Sequence, residues 1–475
     1  MTVLEMKEKN NKEEIVRTAL EKAKQSQDAL NAVVSFVEVD KQLEELKEKE
    51  TSLPFYGVPI ALKDNVSTKG IRTTASSRIL DDYVPVYDAH IVKKLKEAGA
   101  VIIAKTSMDE LGMGGTNLSA YTGPVLNPYD TSRISGGSSG GSAALVAAGV
   151  VPFAIGSDTG DSVRKPASFC GVVGMKPTYG RISRYGIIPY ASSLDHVAYF
   201  TRSVKDAALS LEVLAGRDDN DITSSQLPVE TYLKNCQGDL KGKRIVVLKN
   251  VVDSIGEERI VASFEELITK MEDAGAIVTS LSMDRDLLRS MVGTYYIISN
   301  CEATANHSNL DGLRFGVQES GEDVEDVMTN SRTKGLSTYI RKRFVIGGYG
   351  LSEENQERLF KKAQRVRRKL VDEFQALLKD ADVVIAPASG QAATKLEGAP
   401  AGDPLSDECL IAENYLVLGN FSGYPSITVP MCMVDGLPVG VNLTSKPFTE
   451  SELFNIAFGV ENITGYYDCK AEVEA

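Results

Sequence analysis

The sequence predicts a layered α/β fold around a large, mostly buried sheet. Two observations carry this. Short apolar runs alternate along the chain with stretches of helical period, the pattern of a sheet covered by helices. The apolar runs are also nearly unbroken by polar residues, as strands buried on both faces read. With 475 residues, 43% of them hydrophobic and 25% charged, the chain can bury a core of that size.

The elements follow in order. Residues 13–27 and 41–50 read as amphipathic helices, rich in Lys and Glu on the wet side, within a helical N-terminal segment spanning 1–52. Gly57-Val-Pro-Ile-Ala-Leu62 suits a buried strand, residues 89–98 a helix, and Val101-Ile-Ile-Ala104 the next strand. Residues 142–149 form a small-residue helix and 150–155 a strand. Helices are then expected at 203–215, 257–274, 353–378 and 450–459, with strands at 244–248, 383–386 and 426–429. With no internal repeat, low-complexity linker or clear charge break, 1–475 reads as one domain: a core at 55–202, and a remainder at 203–475.

The formal net charge of −13 makes the chain a poor autonomous binder of phosphate backbones. Any nucleic-acid partner is expected to be held by another subunit. The cysteines, 6 in all, include no C-x-x-C pair, so zinc and dithiol chemistry lack their spacing. Free thiols in a reducing cytosol are expected. The charged first residues show no apolar signal region, and no apolar run is long enough to span a membrane.

The chemistry concentrates in Ser135-Gly-Gly-Ser-Ser-Gly-Gly-Ser-Ala-Ala144, just before the small-residue helix. A phosphate cradle of the P-loop type needs a Lys after the last Gly, but Ser142 and Ala143 stand there. Gly136-Gly-Ser138-Ser-Gly140 fits the G-x-S-x-G nucleophile elbow. That reading needs a histidine base, and of His90, His196 and His307 only His196 stands beside an acid, Asp195. A flexible linker is disfavoured because the stretch runs directly into apolar helix and strand.

A third reading joins this run to Gly156-Ser-Asp-Thr-Gly-Asp-Ser162-Val-Arg-Lys-Pro-Ala167 and to Val58-Pro-Ile-Ala-Leu-Lys63-Asp-Asn65. Three separated motifs in this order resemble the amidase signature family. The likeness is detailed from about 55 to 202 and looser to 447. It implies a large mixed sheet flanked by helices on both faces. It also implies a Ser-Ser-Lys triad: Ser162 as the acyl-forming nucleophile, Ser138 as proton relay and Lys63 as base. The residues alone do not separate Ser138 from neighbouring Ser139. The backbone N–H groups of Thr159, Gly160, Asp161 and Ser162 would form the oxyanion hole. The chemistry is coherent, since a serine needs a base to become nucleophilic. A lysine serves only when neutral, and burial favours that form. The chain departs from the family at Asp161, where Gly is usual. Its carboxylate is expected to point away from the oxyanion and bond locally, with Arg164 the nearest candidate in sequence.

Within the family the chain most resembles the glutamine-hydrolysing subunits of aspartyl/glutamyl-tRNA amidotransferases. The supporting stretches are 181–196, 295–303, 310–316 and Arg341-Lys-Arg343 before Gly347. The resemblance implies that Arg343 takes the glutamine α-carboxylate, that Tyr295 lines the pocket, and that Glu413, where Asp is usual, takes the α-ammonium. It implies hydrolysis of glutamine to glutamate and ammonia. The partners would be a larger tRNA-binding kinase/transamidase and a small third component, together a cytoplasmic heterotrimer. No cofactor or metal is expected in this chain; ATP and Mg would act in the partner, and charged tRNA would be met only indirectly. The alternatives are a stand-alone amidase for a small amide, and a scaffold silenced by Asp161. The basic run 361–368 reads as a solvated face.

Overall fold

The computed structural model describes residues 1–397, 405–466 and 471. Its strands are β1 (Val33–Phe36), β2 (Pro59–Lys63), β3 (Val101–Thr106), β4 (Leu126–Asn127), β5 (Asp130–Ile134), β6 (Phe153–Asp158), β7 (Val173–Lys176), β8 (His196–Thr201), β9 (Arg244–Leu248), β10 (Ile277–Leu281), β11 (Val383–Pro387), β12 (Ser426–Val434) and β13 (Leu437–Ser445). Eleven of them make one sheet in the order β1-β3-β2-β6-β8-β7-β12-β13-β11-β9-β10, while β4 and β5 form a separate ribbon. The sheet is mixed: β2 runs parallel to β3 and β6, and β9 parallel to β10 and β11, with antiparallel pairs between.

Alternation along each strand shows both faces covered. Ile60, Leu62, Ile245, Val247, Val383 and Ile385 pack with the helices His90–Glu97, Val204–Leu214, Glu258–Asp273 and Glu450–Thr464. On the other face, Ala61, Ala104 and Ala154 meet the helices Lys12–Gln25 and Gly140–Ala147. Val246, Leu248, Val384 and Ala386 meet the helices Met291–Asn306 and Lys362–Leu377. The short side chains let the all-buried helix Gly140–Ala147 sit directly beneath β2 and β6.

Several expected boundaries move, the strand expected at 426–429 running on to Val434 and the helix expected at 450–459 to Thr464. The strand after that helix is Phe153–Asp158 rather than 150–155, because Pro152 cannot donate to a ladder and the strand starts beyond it. The long helix expected from 353 is a π-helical turn, Glu357–Lys361, leading into Lys362–Leu377. Strands β1, β4, β5, β7, β8, β10 and β13 escape the sequence reading; all but β8 are short, polar or glycine-interrupted. On the basic run, Lys361 and Arg365 pair with Glu357 at the surface, but Arg367 turns inward to the Phe421 carbonyl at 2.9 Å.

Candidate active site

Lys63 ends β2 and Asp158 ends the adjacent parallel strand β6, so both stand at the carboxyl edge of the sheet, where α/β folds place their ligands. The Ser135–Ser139 turn crosses over this edge. The Asp109 N–H holds the Ser138 carbonyl at 3.1 Å and Asn117 Oδ1 accepts from the Gly140 N–H at 2.9 Å. The Gly137–Ser138 peptide is cis.

Lys63 is fully buried, and its Nζ lies 2.7 Å from both Ser138 Oγ and Ser139 Oγ. Burial lowers the lysine to about 7, against the opposing pull of Asp109, Asp158 and Asp195. The two serines differ in what else they touch. Ser139 Oγ donates to the Ser157 carbonyl at 3.0 Å and accepts from the Ser157 N–H at 3.3 Å. Ser138 Oγ has Lys63 as its partner among the described residues. The structure thus separates two serines that the sequence left equivalent.

Ser162 lies on the loop after β6 and is 3% exposed. Its carbonyl accepts from the Ser139 N–H at 3.2 Å, which ties the two serine segments together. Among the described residues no hydrogen bond joins the Ser138 and Ser162 hydroxyls. The N–H groups of Thr159, Gly160, Asp161 and Ser162 donate to no protein acceptor among the described residues, while the carbonyls of Gly160, Asp161 and Ser162 are all engaged.

The loop is held from below by Arg164 and Asp158, both fully buried and 2.9 Å apart. Arg164 also donates to the carbonyls of Gly160 at 2.8 Å and Leu416 at 2.7 Å and to Asn420 Oδ1 at 2.6 Å. Asp158 accepts from the Val163 N–H at 2.9 Å. Burial opposes the charge of Asp158, but Arg164, Lys176 and that N–H together hold it far below the usual carboxylate range. The expected Asp161–Arg164 bond is therefore not formed, because the guanidinium is saturated by other acceptors. Nor does Asp161 adopt a left-handed backbone. Asp158→Ala is expected to lower stability by about 3–5 kcal/mol, since it strands a buried guanidinium; thermal unfolding measures it.

The histidine alternative fails on geometry. The Asp195 carboxylate accepts from Thr159 Oγ1 at 2.7 Å and from the Tyr190 and Ala191 N–H groups at 2.8 and 3.1 Å. His196 instead sets its Nδ1 2.7 Å from the Leu194 carbonyl, and burial keeps the ring neutral.

A second cluster stands above the loop. Gly160 lies against Tyr295, such that a Cβ there would come within 3.0 Å of the ring. Tyr295 faces Tyr190, whose hydroxyl accepts from Arg343 Nη1 at 3.0 Å. Arg343 sits on the helix Thr338–Leu351, which approaches the helix Met291–Asn306 closely because Gly347 has no Cβ to strike the Asn300 carbonyl. Arg343 is 6% exposed, and its guanidinium bonds Tyr339 Oη and lies 4.9 and 4.7 Å from the ring centres of Tyr296 and Tyr339. Among the described residues no carboxylate pairs with it, and its Nε has no partner.

Glu413 is drawn to the other side of the loop. Its carboxylate takes Lys165 Nζ at 2.7 Å, Ser389 Oγ at 3.0 Å and the Gly390 N–H at 2.7 Å. The sequence reading missed Asp158, Lys165, Tyr190 and Asn420. The first two stand inside the quoted motif, so their position was visible though their role was not. The five described cysteines form no disulfide, four of them are buried, and Cys469 lies outside the described residues. No group able to hold a metal occurs among the described residues.

Comparison with known proteins gives the family and the fold. A model of the family described as Amidase matches residues 14–454. A glutamyl-tRNA(Gln) amidotransferase subunit of Moorella thermoacetica is 41% identical over 428 residues, covering 89% of this chain and 86% of that protein. Its counterpart from Exiguobacterium sibiricum is 40% identical over 426 residues, covering 90% and 87%. The crystal structure of the corresponding glutamyl-tRNA(Gln) amidotransferase subunit from Thermotoga maritima superposes with a TM-score of 0.83 at 36% identity, covering 100% of this chain and 98% of that one. Family model, relatives and fold agree: the chain belongs to the amidase family and is an enzyme of the amidase/amidotransferase type.

Proposed function

We propose that this chain hydrolyses glutamine to glutamate and ammonia through an acyl-enzyme on Ser162. The ammonia passes to a partner that uses ATP to amidate Glu-tRNA(Gln), with Asp-tRNA(Asn) as a second acceptor to be tested. The observation that carries the hydrolysis is the buried, readily neutral Lys63 Nζ at 2.7 Å from Ser138 Oγ. Lys63 draws the proton of Ser138, Ser138 draws that of Ser162, and Ser162 Oγ attacks the amide carbon. The negative charge that develops on the amide oxygen meets the free N–H groups of residues 159–162, donors already in place before the charge forms. The proton returns through Ser138 to the leaving ammonia. Water then repeats the cycle on the ester and releases glutamate.

Arg343 supports an amino-acid substrate. A buried guanidinium without an acid partner suits a carboxylate, and Arg–carboxylate pairs are the strong bidentate kind. Tyr295 bridges it to the loop and lines the pocket between. The relatives are named as parts of a larger enzyme, which supports an assembly of this chain with others. In this reading the assembly is a heterotrimer with a tRNA-binding kinase/transamidase and a small third component. ATP and Mg act in the former, with no cofactor or metal in this chain, and tRNA is met indirectly. No described helix is long and apolar enough to cross a membrane, and the reading places the assembly in the cytoplasm.

The test is co-expression with the partner subunits, followed by measurement of glutamate and ammonia from glutamine and rapid-quench mass spectrometry for a glutamyl ester on Ser162. Both acceptor tRNAs are offered in parallel. Broad turnover of simple amides by the solitary chain, indifferent to partners, would overturn the proposal. Arg343→Ala is expected to raise KM for glutamine about 10- to 100-fold with a much smaller change in kcat, read from steady-state ammonia release.

A further inference from the structure

We propose that Asp161, not Glu413, receives the α-ammonium of the substrate, with Lys165 and Glu413 acting as a fixed pair that positions Asp161. The inference rests on the glutamine reading above and deepens it.

Charge balance decides between the two acids. Three ionisable groups meet beside the nucleophile: Asp161, Lys165 and Glu413. One cation is thus shared between two acids, and the hydrogen bonds show which acid holds it. Lys165 Nζ donates to Glu413 Oε2 at 2.7 Å and to the Glu413 carbonyl at 2.5 Å. Glu413 Oε1 is occupied by Ser389 Oγ at 3.0 Å and the Gly390 N–H at 2.7 Å. Both Glu413 oxygens are thus satisfied, and one of them already faces an ammonium. A second ammonium brought there meets Lys165 first.

Asp161 is in the opposite position. Its backbone carbonyl accepts from the Lys165 N–H at 2.9 Å, which opens a helical turn toward Lys165, yet its carboxylate makes no hydrogen bond or ion pair among the described residues. The other nearby cation, Arg164, is saturated by Asp158, Gly160, Leu416 and Asn420. A half-buried carboxylate without a partner, one residue before the nucleophile, is an incomplete ion pair. Burial, with Asp158 and Glu413 adding to it, accordingly lifts Asp161 to about 6 despite the opposing Lys165 and Arg164. A substrate ammonium supplies the missing charge.

The placement also fits the other end of an amino acid. The α-carboxylate and α-ammonium hang from one carbon, so their receptors must flank one spot. Tyr295 packs on Gly160, feels the charge of Asp161, and faces Tyr190, which binds Arg343. Arg343 and Asp161 therefore lie about the same ring.

The test compares glutamine with glutaramate, which is glutamine without its α-amino group, in the full chain assembled with its partner subunits. Asp161→Asn and Asp161→Gly are expected to raise KM for glutamine about 10- to 100-fold more than KM for glutaramate, a ratio that any change in kcat common to both substrates leaves untouched. Glu413→Gln frees Lys165 to pair with Asp161 and is expected to cause the same glutamine-selective loss, which Lys165→Met added to Glu413→Gln relieves. The inference alone is overturned if wild type hydrolyses glutamine but the Asp161 variants change both substrates equally or neither, or if the double variant Glu413→Gln, Lys165→Met keeps the full glutamine-selective loss. If wild type hydrolyses glutaramate and simple amides but not glutamine, the proposed function falls and the inference with it.

Discussion

Ser162→Ala is expected to lose glutamine hydrolysis by on the order of 10⁴-fold or more while binding glutamine with near-unchanged affinity. The size follows from what the hydroxyl does. Without Oγ no ester forms, and the free N–H groups of the loop have only direct attack by water to stabilise. The fold should persist, because the tie between the two serine segments uses the Ser162 carbonyl rather than its side chain. Isothermal titration for binding and ammonia release for turnover check both halves. A variant that retains the ester intermediate would remove Ser162 from its role.

Lys63→Met is expected to be equally severe, and wild type should show the matching pH dependence. With Lys63 held near 7 by burial, the neutral fraction falls about tenfold for each pH unit below that value, so log kcat/KM should fall with unit slope below about pH 7 and level above it. Linkage gives an independent sign. The folded lysine sits below its ordinary value of 10.5, so between these values the unfolded chain binds more protons and stability rises with pH. Below about 7 both states are protonated and the fold carries the full penalty of a buried charge. Methionine removes that penalty. Lys63→Met should thus be inactive yet more resistant to heat at pH 6 than wild type, a combination that a mere packing defect does not produce. A Ser139→Ala variant, whose lost hydroxyl is bonded to Ser157, should retain far more activity than either.

Much of this arrangement was legible in the sequence, for reasons that can be named. The apolar run ending at Lys63 foretold a lysine at a buried strand end, and the small residues of 142–149 foretold a helix, found at Gly140–Ala147. Covalent neighbours such as Thr159 to Ser162 necessarily travel together. What failed were relations between distant segments. Arg164 looked free to take Asp161, and only the fold shows Asp158, Leu416 and Asn420 claiming it first. Glu413 looked like an open carboxylate until the turn after β11 brought Ser389 and Gly390, and the helix Arg164–Phe169 brought Lys165, against it. Asp195 beside His196 invited a dyad, but neighbours on a strand end face different ways. Spacing reports what a residue can reach along the chain and says nothing of competitors arriving from elsewhere.

The clamp beneath the oxyanion loop has a consequence for biosynthesis. Arg164 reaches across 252 residues to the Leu416 carbonyl and 256 to Asn420. A growing chain emerging from the ribosome therefore carries its lysine and both serines long before it can brace the loop that receives the developing charge. In the proposed mechanism the loop is braced only once Asn420 has emerged, so a product terminated before it, however much of the signature it contains, is expected to hydrolyse no amide.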